Sequence, residues 1–379
     1  LKKLKIGYFI DAWNPGAGTE NQLLGIMRHL DPSEVDARLF TLREPIPEKH
    51  RQEIPWPVEC IGVTSLLSAN GLVKFWKLVR RLRRELYDIV MIYFLDSNLF
   101  VTPACRLAGI KASVVNRRDM GYWYEPGILG KLNRVNRHTN YFLVNSQAVK
   151  RAVVANEFFP AERIQVIYNG LWETAEKKAI PFQRAELGLP AEGPLVGIVA
   201  NLRPVKRVDR FIDMAARVAG KFPGAHFVIA GQGELKPDLQ QRATQYNLGE
   251  RVHFLGSVAE VERLLPLLDV GVLTSESEGF SNALIEYVSA GIPAVTFAVG
   301  GNPEIVQDGV NGRLVRDGDV DQLAAAVSAL LGDPEQRQRM AQAGQKRAAR
   351  DYDPAEILRQ TMAFYRTIAE APRNQARFD

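Results

Sequence analysis

Apolar residues in this chain gather in short, nearly continuous runs, and between the runs they recur at three- and four-residue spacing. In the first half the runs fall at 4–10, 35–42, 88–94, 112–116 and 141–146, with helical spacing at 20–30, 71–86, 97–108, 127–138 and 147–156. In the second half the runs fall at 194–201, 225–231, 252–256, 269–275 and 293–297, again separated by helical patterns. Strands that are apolar throughout, rather than alternating, belong to parallel sheets covered on both faces. The pattern therefore predicts an α/β fold in two series, joined by the polar stretch 171–190. Each series reads as a Rossmann-like domain, over 1–172 and 173–353, and the two are expected to face each other across a cleft. Three helical stretches close the chain at 319–331, 334–350 and 354–370, two of them opened by Asp-Pro pairs that suit a cap and a first helical position. The segment 354–379 is expected to pack back on the first domain.

Composition narrows the class without choosing a function. The chain is 46% hydrophobic and 24% charged, enough apolar residue to bury a core. Cys60 and Cys105 both lie in apolar surroundings, as expected of small buried residues in a reducing compartment. No apolar run approaches the roughly 20 residues needed to span a bilayer, and no leader pattern precedes the first strand. The expected location is the cytoplasm, with peripheral contact on the inner membrane face left open. Charge is uneven: residues 1–170 carry 24 Lys and Arg against 16 Asp and Glu, a net +8, while the remainder is net −3. A basic first half points to an anionic partner, either a phosphate-bearing ligand or a membrane face. No nucleic-acid reading motif accompanies the charge, so nucleic acid is not an expected partner. His29, His50, His138, His226 and His253 have no metal-ligand spacing, and no metal or cofactor is expected.

Candidate chemistry concentrates in the stretch Leu273 to Gly291, LTSESEGFSNALIEYVSAG, where a buried strand runs through a polar loop into a helix. A helix starting at Ser281 or Asn282 places Asn282 and Glu286 on one face, four residues apart, and leaves Glu278 in the loop. Backbone amides of Phe280, Ser281 and Asn282 at a helix N-terminus favour an anion such as phosphate. A carboxylate one turn in would repel phosphate but can accept hydrogen bonds from ribose hydroxyls. A loop carboxylate could do the same for a second sugar. The arrangement suits a ligand built as sugar, diphosphate and ribose. The plainer alternative is that Glu278 only stabilises the helix start and Glu286 is solvated.

The span 275–315, SESEGFSNALIEYVSAGIPAVTFAVGGNPEIVQDGVNGRLV, resembles the signature of the family 4 glycosyltransferases, retaining enzymes of the GT-B fold. Further matches are GAGTENQLL (16–24), VNSQAVKR (144–151), VIYNG (166–170), ANLRPVKRVDRFI (200–212) and IAGQGELKPDL (229–239), in the family's order and spacing. The resemblance implies that Glu278 lies against the donor sugar and Glu286 holds the ribose. It implies a catalytic Lys206 offsetting the diphosphate as it leaves. Five positions before that lysine the family carries an arginine where this chain has Asn201, so Arg203 or Arg207 would take that part. Gly231, within the 229–239 match, and Gly18 join the donor side.

On the first domain, Gly16 and Gly18 in DAWNPGAGTENQLLGIM would let backbone approach a ligand, with Gly16 on the acceptor side and Thr19 capping the helix. Ala17 stands where the family has a glycine. The loop NRRDMGYWYEPG offers Arg117 and Arg118 to an acceptor phosphate, Asp119 as a catalytic residue steering an acceptor hydroxyl, and Tyr122 to stack on a sugar. The stretch 71–86 forms a basic helix with Leu72, Phe75 or Trp76, Val79, Leu82 and Leu86 on one stripe. That stripe either packs on the sheet, the reading preferred, or lies on an anionic membrane. The expected activity is transfer of a hexosyl group, with retention, from a UDP- or GDP-sugar to a hydroxyl of a glycan or lipid-linked acceptor. A nucleotide-sugar epimerase of the same fold, or a non-catalytic nucleotide-sugar-binding protein, are the alternatives.

Overall fold

The structure is a computed structural model and describes residues 3–172 and 180–371. The expected linker 171–190 and the segment 354–379 therefore lie partly outside the described residues. The chain divides into two compact units, one formed by the chain up to Trp172 together with its C-terminal helix from Pro354, the other running from Glu173 to Asp353.

In the first unit the strands are β1 (Leu4–Ile10), β2 (Val35–Thr41), β3 (Val58–Cys60), β4 (Ile89–Tyr93), β5 (Ala112–Arg117), β6 (Tyr141–Val144) and β7 (Ile164–Val166). They form one parallel sheet in the order β3-β2-β1-β4-β5-β6-β7. The connecting helices are α1 (Gly18–His29), α2 (Glu48–Arg51), α3 (Ala69–Glu85), α4 (Leu95–Ala108), α5 (Pro126–Asn136) and α6 (Gln147–Glu157). Side chains alternate across the sheet. Ile6, Tyr8 and Ile10 join the core under α1, while Phe9, Val90 and Ile92 join the one under α3 and α4.

The second unit has β8 (Leu195–Val199), β9 (His226–Ala230), β10 (Val252–Gly256), β11 (Val270–Leu273), β12 (Ala294–Phe297) and β13 (Gly312–Val315). These too are parallel, in the order β10-β9-β8-β11-β12-β13. Its helices are α7 (Val208–Lys221), α8 (Lys236–Gln245), α9 (Val261–Leu264), α10 (Asn282–Ala290), α11 (Asn302–Ile305), α12 (Val320–Gly332) and α13 (Pro334–Asp351). The last helix, α14 (Pro354–Glu370), belongs to the first unit, where the Tyr8 hydroxyl donates to that of buried Tyr365 at 3.3 Å. Both sheets are Rossmann-like, with the chain reversing direction between β1 and β4 and again between β8 and β11. Such a reversal opens a crevice beyond the strand ends where ligands sit.

Three strands exceed those read from the pattern. β3, β7 and β13 are edge strands of three or four residues, too short to register as apolar runs. Helix α1 opens at Gly18 with Ala17 as its cap residue, so Thr19 stands inside the first turn and does not cap it. On α3 the expected stripe is displaced. Gly71, Leu78, Val79 and Leu82 are buried, whereas Leu72, Trp76 and Leu86 are exposed. Both cysteines are free, and burial pushes the Cys105 thiol above its usual range.

His226 and His253, on adjacent strands β9 and β10, place ring nitrogens 3.2 Å apart. Burial lowers the pKa of His226, helped by Arg251 and Arg184; burial and then His226 lower that of His253. A folded pKa below the unfolded value of about 6.5 means the unfolded chain binds more protons in the window beneath it. The pair's contribution to stability is complete above about pH 6.5 and is lost as the pH falls through the lowered folded values. Thermal unfolding between pH 7.5 and 5.5 should show this loss, and His253→Gln should flatten it. Parallel curves for the two proteins would remove the pair as the cause.

Candidate functional site

The central crevice of the second unit is built by two loops that leave neighbouring strands. The loop after β8 passes through a tight 3-10 turn, Pro204–Lys206, and the loop after β11 leads into α10. The Glu276 amide donates to the Val205 carbonyl at 3.0 Å, and the Thr274 hydroxyl donates to the Lys206 carbonyl at 3.0 Å. These two bonds hold the loops in register. Across them Lys206 Nζ meets Glu278 Oε1 at 2.6 Å, bringing together residues 72 positions apart in sequence. The carboxylate side chain is 9% exposed and the lysine 27%, so the pair stands at the mouth of the sheet, open on the lysine side.

Helix α10 starts at Asn282 with Ser281 as its cap, the Ser281 hydroxyl accepting from the Leu284 amide at 3.3 Å. Asn282 and Glu286 are then successive residues on one partly exposed face. The helix is pinned from below by Tyr287, whose hydroxyl accepts from the Val199 amide at 2.7 Å and donates to the Val272 carbonyl at 3.4 Å. One side chain thus ties α10 to both strands of the crevice, and burial drives its pKa up. Its ring occupies the space above Gly271, where a Cβ would come within 2.6 Å. Phe280 is buried and meets Tyr352 edge-on, ring centres 5.7 Å apart.

A third loop supports the backbone of Glu278. The Gly301 amide donates to the Glu278 carbonyl at 3.0 Å, and buried Asn302 donates to Thr296 and to the Phe297 carbonyl. The loop after β9 presses on the loop after β8: Gly231 has φ +151, and a Cβ there would lie 1.9 Å from the Ala200 carbonyl oxygen. Only glycine fits. Arg203 is exposed, while Arg207 pairs with Asp209 at 2.8 Å and with Glu276 at 3.3 Å, and these carboxylates raise its pKa. An open pocket of about 390 Å³ lies between this turn and α8, but it reaches the site only through Pro204 and Arg207. Among the described residues no group of three or more His, Cys, Asp or Glu side chains is placed to hold a metal ion.

In the first unit, Gly16 has φ +77 with open space around it, and Gly18 is an exposed first residue of α1. Glu20 is buried and accepts from the Asn14 amide at 3.3 Å, bracing this turn. The 117–125 loop corrects two expectations. Arg117 is not available to an acceptor phosphate: it is 2% exposed and forms a two-pronged ion pair with Glu157 at 2.7 and 2.9 Å. Burial works against its charge, and the Glu157 carboxylate outweighs burial and raises the guanidinium's pKa. Tyr124 and Asn136 also donate to Glu157. Asp119 is engaged within its own loop, accepting from the Gly121 amide at 2.7 Å and the Trp123 indole at 2.9 Å, so it shapes the turn rather than facing a hydroxyl. Arg118 donates to Asn169 at 2.8 Å, with its buried Nε unpaired among the described residues. Tyr122 stands out, 64% exposed.

Sequence reasoning overlooked Tyr287, Thr274 and Glu157. Tyr287 was signalled by its place beside Glu286 on the apolar side of a short helix. Glu157 was signalled by Arg117 itself, since a cation ending a strand that is buried along its whole length needs a buried partner.

Two Rossmann-like units with parallel sheets of this strand order give the GT-B fold, as in the solved structures that the chain resembles. The family model described as Glycosyl transferases group 1 matches residues 179–347, and that described as Glycosyltransferase Family 4 matches residues 16–171. Each match covers somewhat under half of the chain and the two together most of it, so the chain is similar to the group 1 glycosyltransferases along most of its length. It is similar to the D-inositol 3-phosphate glycosyltransferase of Mycobacterium marinum, 33% identical over 61% of this chain and 50% of that protein. It is similar as well to the N-acetyl-alpha-D-glucosaminyl L-malate synthase of Bacillus anthracis, 27% identical over 57% of this chain and 56% of that protein. The chain spans about half the length of the curated relatives it matches. Among solved structures it resembles Anabaena HepE in complex with UDP-glucose, at 25% identity and a TM-score of 0.84, over 96% of this chain and 100% of that one.

Two substitutions test the supports of these loops. Tyr287→Phe leaves the Val199 amide without its acceptor and should cost about 1–3 kcal/mol in chemical denaturation. Glu157→Ala strands the buried Arg117 charge and should cost about 3–5 kcal/mol. A loss below about 0.5 kcal/mol in either would contradict the assigned contact.

Proposed function

We propose that this protein transfers a hexosyl group, with retention at the anomeric carbon, from a nucleotide diphosphate sugar to a hydroxyl of a glycan or lipid-linked acceptor. The observation that carries the reading is the Lys206–Glu278 pair, set at the sheet's reversal point beside the start of α10. Each member of that pair matches one part of such a donor. A diphosphate competes for the lysine, and a sugar hydroxyl can donate to the carboxylate in the lysine's place. Glu286, one turn into α10, accepts from ribose hydroxyls, and the N-terminal end of the helix favours the pyrophosphate between the two sugars.

Bond cleavage leaves negative charge on the departing nucleotide diphosphate and positive character on the sugar ring. Lys206 offsets the first, and Glu278 orients the ring by its hydroxyls. The sugar–phosphate bond breaks as the bond to the acceptor oxygen forms, and the acceptor proton passes to the leaving phosphate on the same face. On the first unit Arg118 and Tyr122 are the acceptor-side candidates, with Gly16 leaving its turn open; Arg117 and Asp119 hold the loop that presents them. Arg203, exposed beside the lysine, is the better placed of the two arginines to meet phosphate, because Arg207 is already paired with two carboxylates. UDP-sugars come first among donors to test, since HepE, similar along almost the whole chain, was crystallised with UDP-glucose.

A thermal-shift panel of UDP, GDP and ADP, followed by product analysis with UDP-sugars and an acceptor extract, tests the reading. A cognate nucleotide at a hundred times its Kd should add about 2.7 kcal/mol of stability. Glu286→Ala should weaken donor binding about tenfold, the loss of roughly 1.4 kcal/mol expected for a charge-assisted hydrogen bond. Lys206→Ala should lower kcat about 10²–10³-fold, the scale of losing one charge-stabilising donor. Unchanged affinity and turnover in both variants would reject the roles. Epimerised donor, or binding without turnover, would reject transfer itself.

A further inference from the structure

Helix α3 carries an outward face that the fold leaves uncovered. Its inner side, Gly71, Leu78, Val79 and Leu82, packs on the sheet, and Ser68 caps its start by accepting from the Gly71 amide at 3.0 Å. Turned the other way, in the first turns, are Leu72 at 59% exposure and Trp76 at 48%, with Val73 beside them. Leu67, in the loop just before the helix, is 97% exposed. Four apolar side chains in water at one end of a helix would be an unfavourable surface unless something covers it.

The rest of that outer face is cationic. Lys77, Arg80, Arg83 and Arg84 are all exposed. Carboxylates are scarce along the helix, whose one acid, Glu85, is engaged by Arg81 at 2.9 Å, Arg84 at 3.5 Å and Arg38 at 3.7 Å. Arg81 itself turns inward, pairing with Glu59 and lying over the Phe40 ring, so it is not part of the outer row. Arg83 donates to the carbonyl of Leu107, another exposed apolar residue, which extends the face onto α4.

We propose that this face docks on an anionic lipid bilayer, with α3 lying in the interface. Leu67, Leu72, Val73 and Trp76 enter the headgroup–acyl boundary, and Lys77, Arg80, Arg83 and Arg84 meet lipid phosphates. Both halves of the face are used by that one occupant. A tryptophan with aliphatic neighbours is the usual anchor at headgroup depth, and flanking cations draw the helix to negative lipid. A nucleic acid would engage the cations and leave the apolar end in water. The helix cannot cross the bilayer: no helix among the described residues is long and apolar enough. Seventeen residues at 1.5 Å rise give roughly 25 Å of contact along the surface.

The test is co-sedimentation of the purified chain with vesicles of phosphatidylcholine alone and of an equimolar mixture with phosphatidylglycerol. Wild type should pellet with the mixed vesicles and stay in solution with the neutral ones. Replacing Lys77, Arg80 and Arg84 with Gln should weaken binding about fivefold per lost cation. Leu72→Ser with Trp76→Ser should weaken it as well, and the wild-type tryptophan emission should shift blue on the mixed vesicles but not in Trp76→Phe. A control with Lys346→Gln and Arg350→Gln, exposed cations on α13, should bind as wild type. All variants change exposed side chains, and unaltered far-ultraviolet circular dichroism together with an unaltered nucleotide thermal shift would show that fold and donor site are intact. Wild type left in solution with both vesicles, equal binding by the serine variant, or equal loss in the α13 control would each overturn the proposal. So would binding of the same face to an acidic protein in place of the vesicles.

Discussion

The second unit depends on a reversal of chain direction at the middle of its sheet. Strands β8 and β11 lie side by side, yet the chain leaves β8 for one neighbour and β11 for the other. Their outgoing loops diverge and leave polar backbone at the sheet's edge that the ladder cannot satisfy. The protein closes the gap with cross-loop bonds: the Glu276 amide to Val205, Thr274 to Lys206, and the Lys206–Glu278 ion pair above them. Tyr287 completes the arrangement from the helix side, since its hydroxyl serves β8 and β11 together. The direction of Glu286 and the position of the α10 start follow from that anchor. Lys206, Glu278 and the start of α10 are thus tied to the sheet by bonds between elements.

The first unit repeats the strand order with a different polar solution. Its reversal lies between β1 and β4, where Asp11 accepts from the Asp96 and Ser97 amides and so caps α4. Burial raises the Asp11 pKa against those bonds, which is the cost of placing a carboxylate at a sheet edge. Further along, Arg117 and Glu157 form a fully buried pair, reinforced by Tyr124 and Asn136. A buried pair of this kind adds little net stability but makes any alternative loop conformation expensive, because separating the charges exposes each to an apolar surrounding. That pair holds the base of the loop from Arg118 to Tyr124, with Arg118 bonded to Asn169 and Tyr122 exposed beyond it.

Much of this was legible in the sequence because the signals were local. Long apolar runs gave every central strand, and Ser281 followed by Asn282, with Gly291 beyond, gave both ends of α10. The short edge strands β3, β7 and β13 were not legible, since three or four residues carry no period. Arg117 was misplaced for a related reason. Basic residues after a strand suggest a ligand, but β5 continues one residue further than its apolar run, which turns that side chain into the core. On α3 two apolar sets coexist, one containing Gly71, Leu78, Val79 and Leu82, the other Leu72, Val73 and Trp76. Composition cannot choose which faces the sheet; packing does. Lys206 and Glu278 were each read as candidates, but their contact depends on the strand order, which no spacing reveals.

That contact bears on how a charged ligand could be accommodated at all. Glu278 is 9% exposed and Lys206 27%, so each charge has given up part of its hydration and takes the other as its partner. Pairing offsets both losses. In the proposed reaction the donor supplies replacements of the right kind, an anion for the lysine and hydroxyl donors for the carboxylate, so the exchange leaves few groups unsatisfied. Binding strength then rests on the surplus: the α10 start, Glu286, and whatever the base contacts. A lysine already held at the sheet's edge also needs no large rearrangement to meet charge as it develops on the leaving diphosphate, which is where a preorganised cation contributes most.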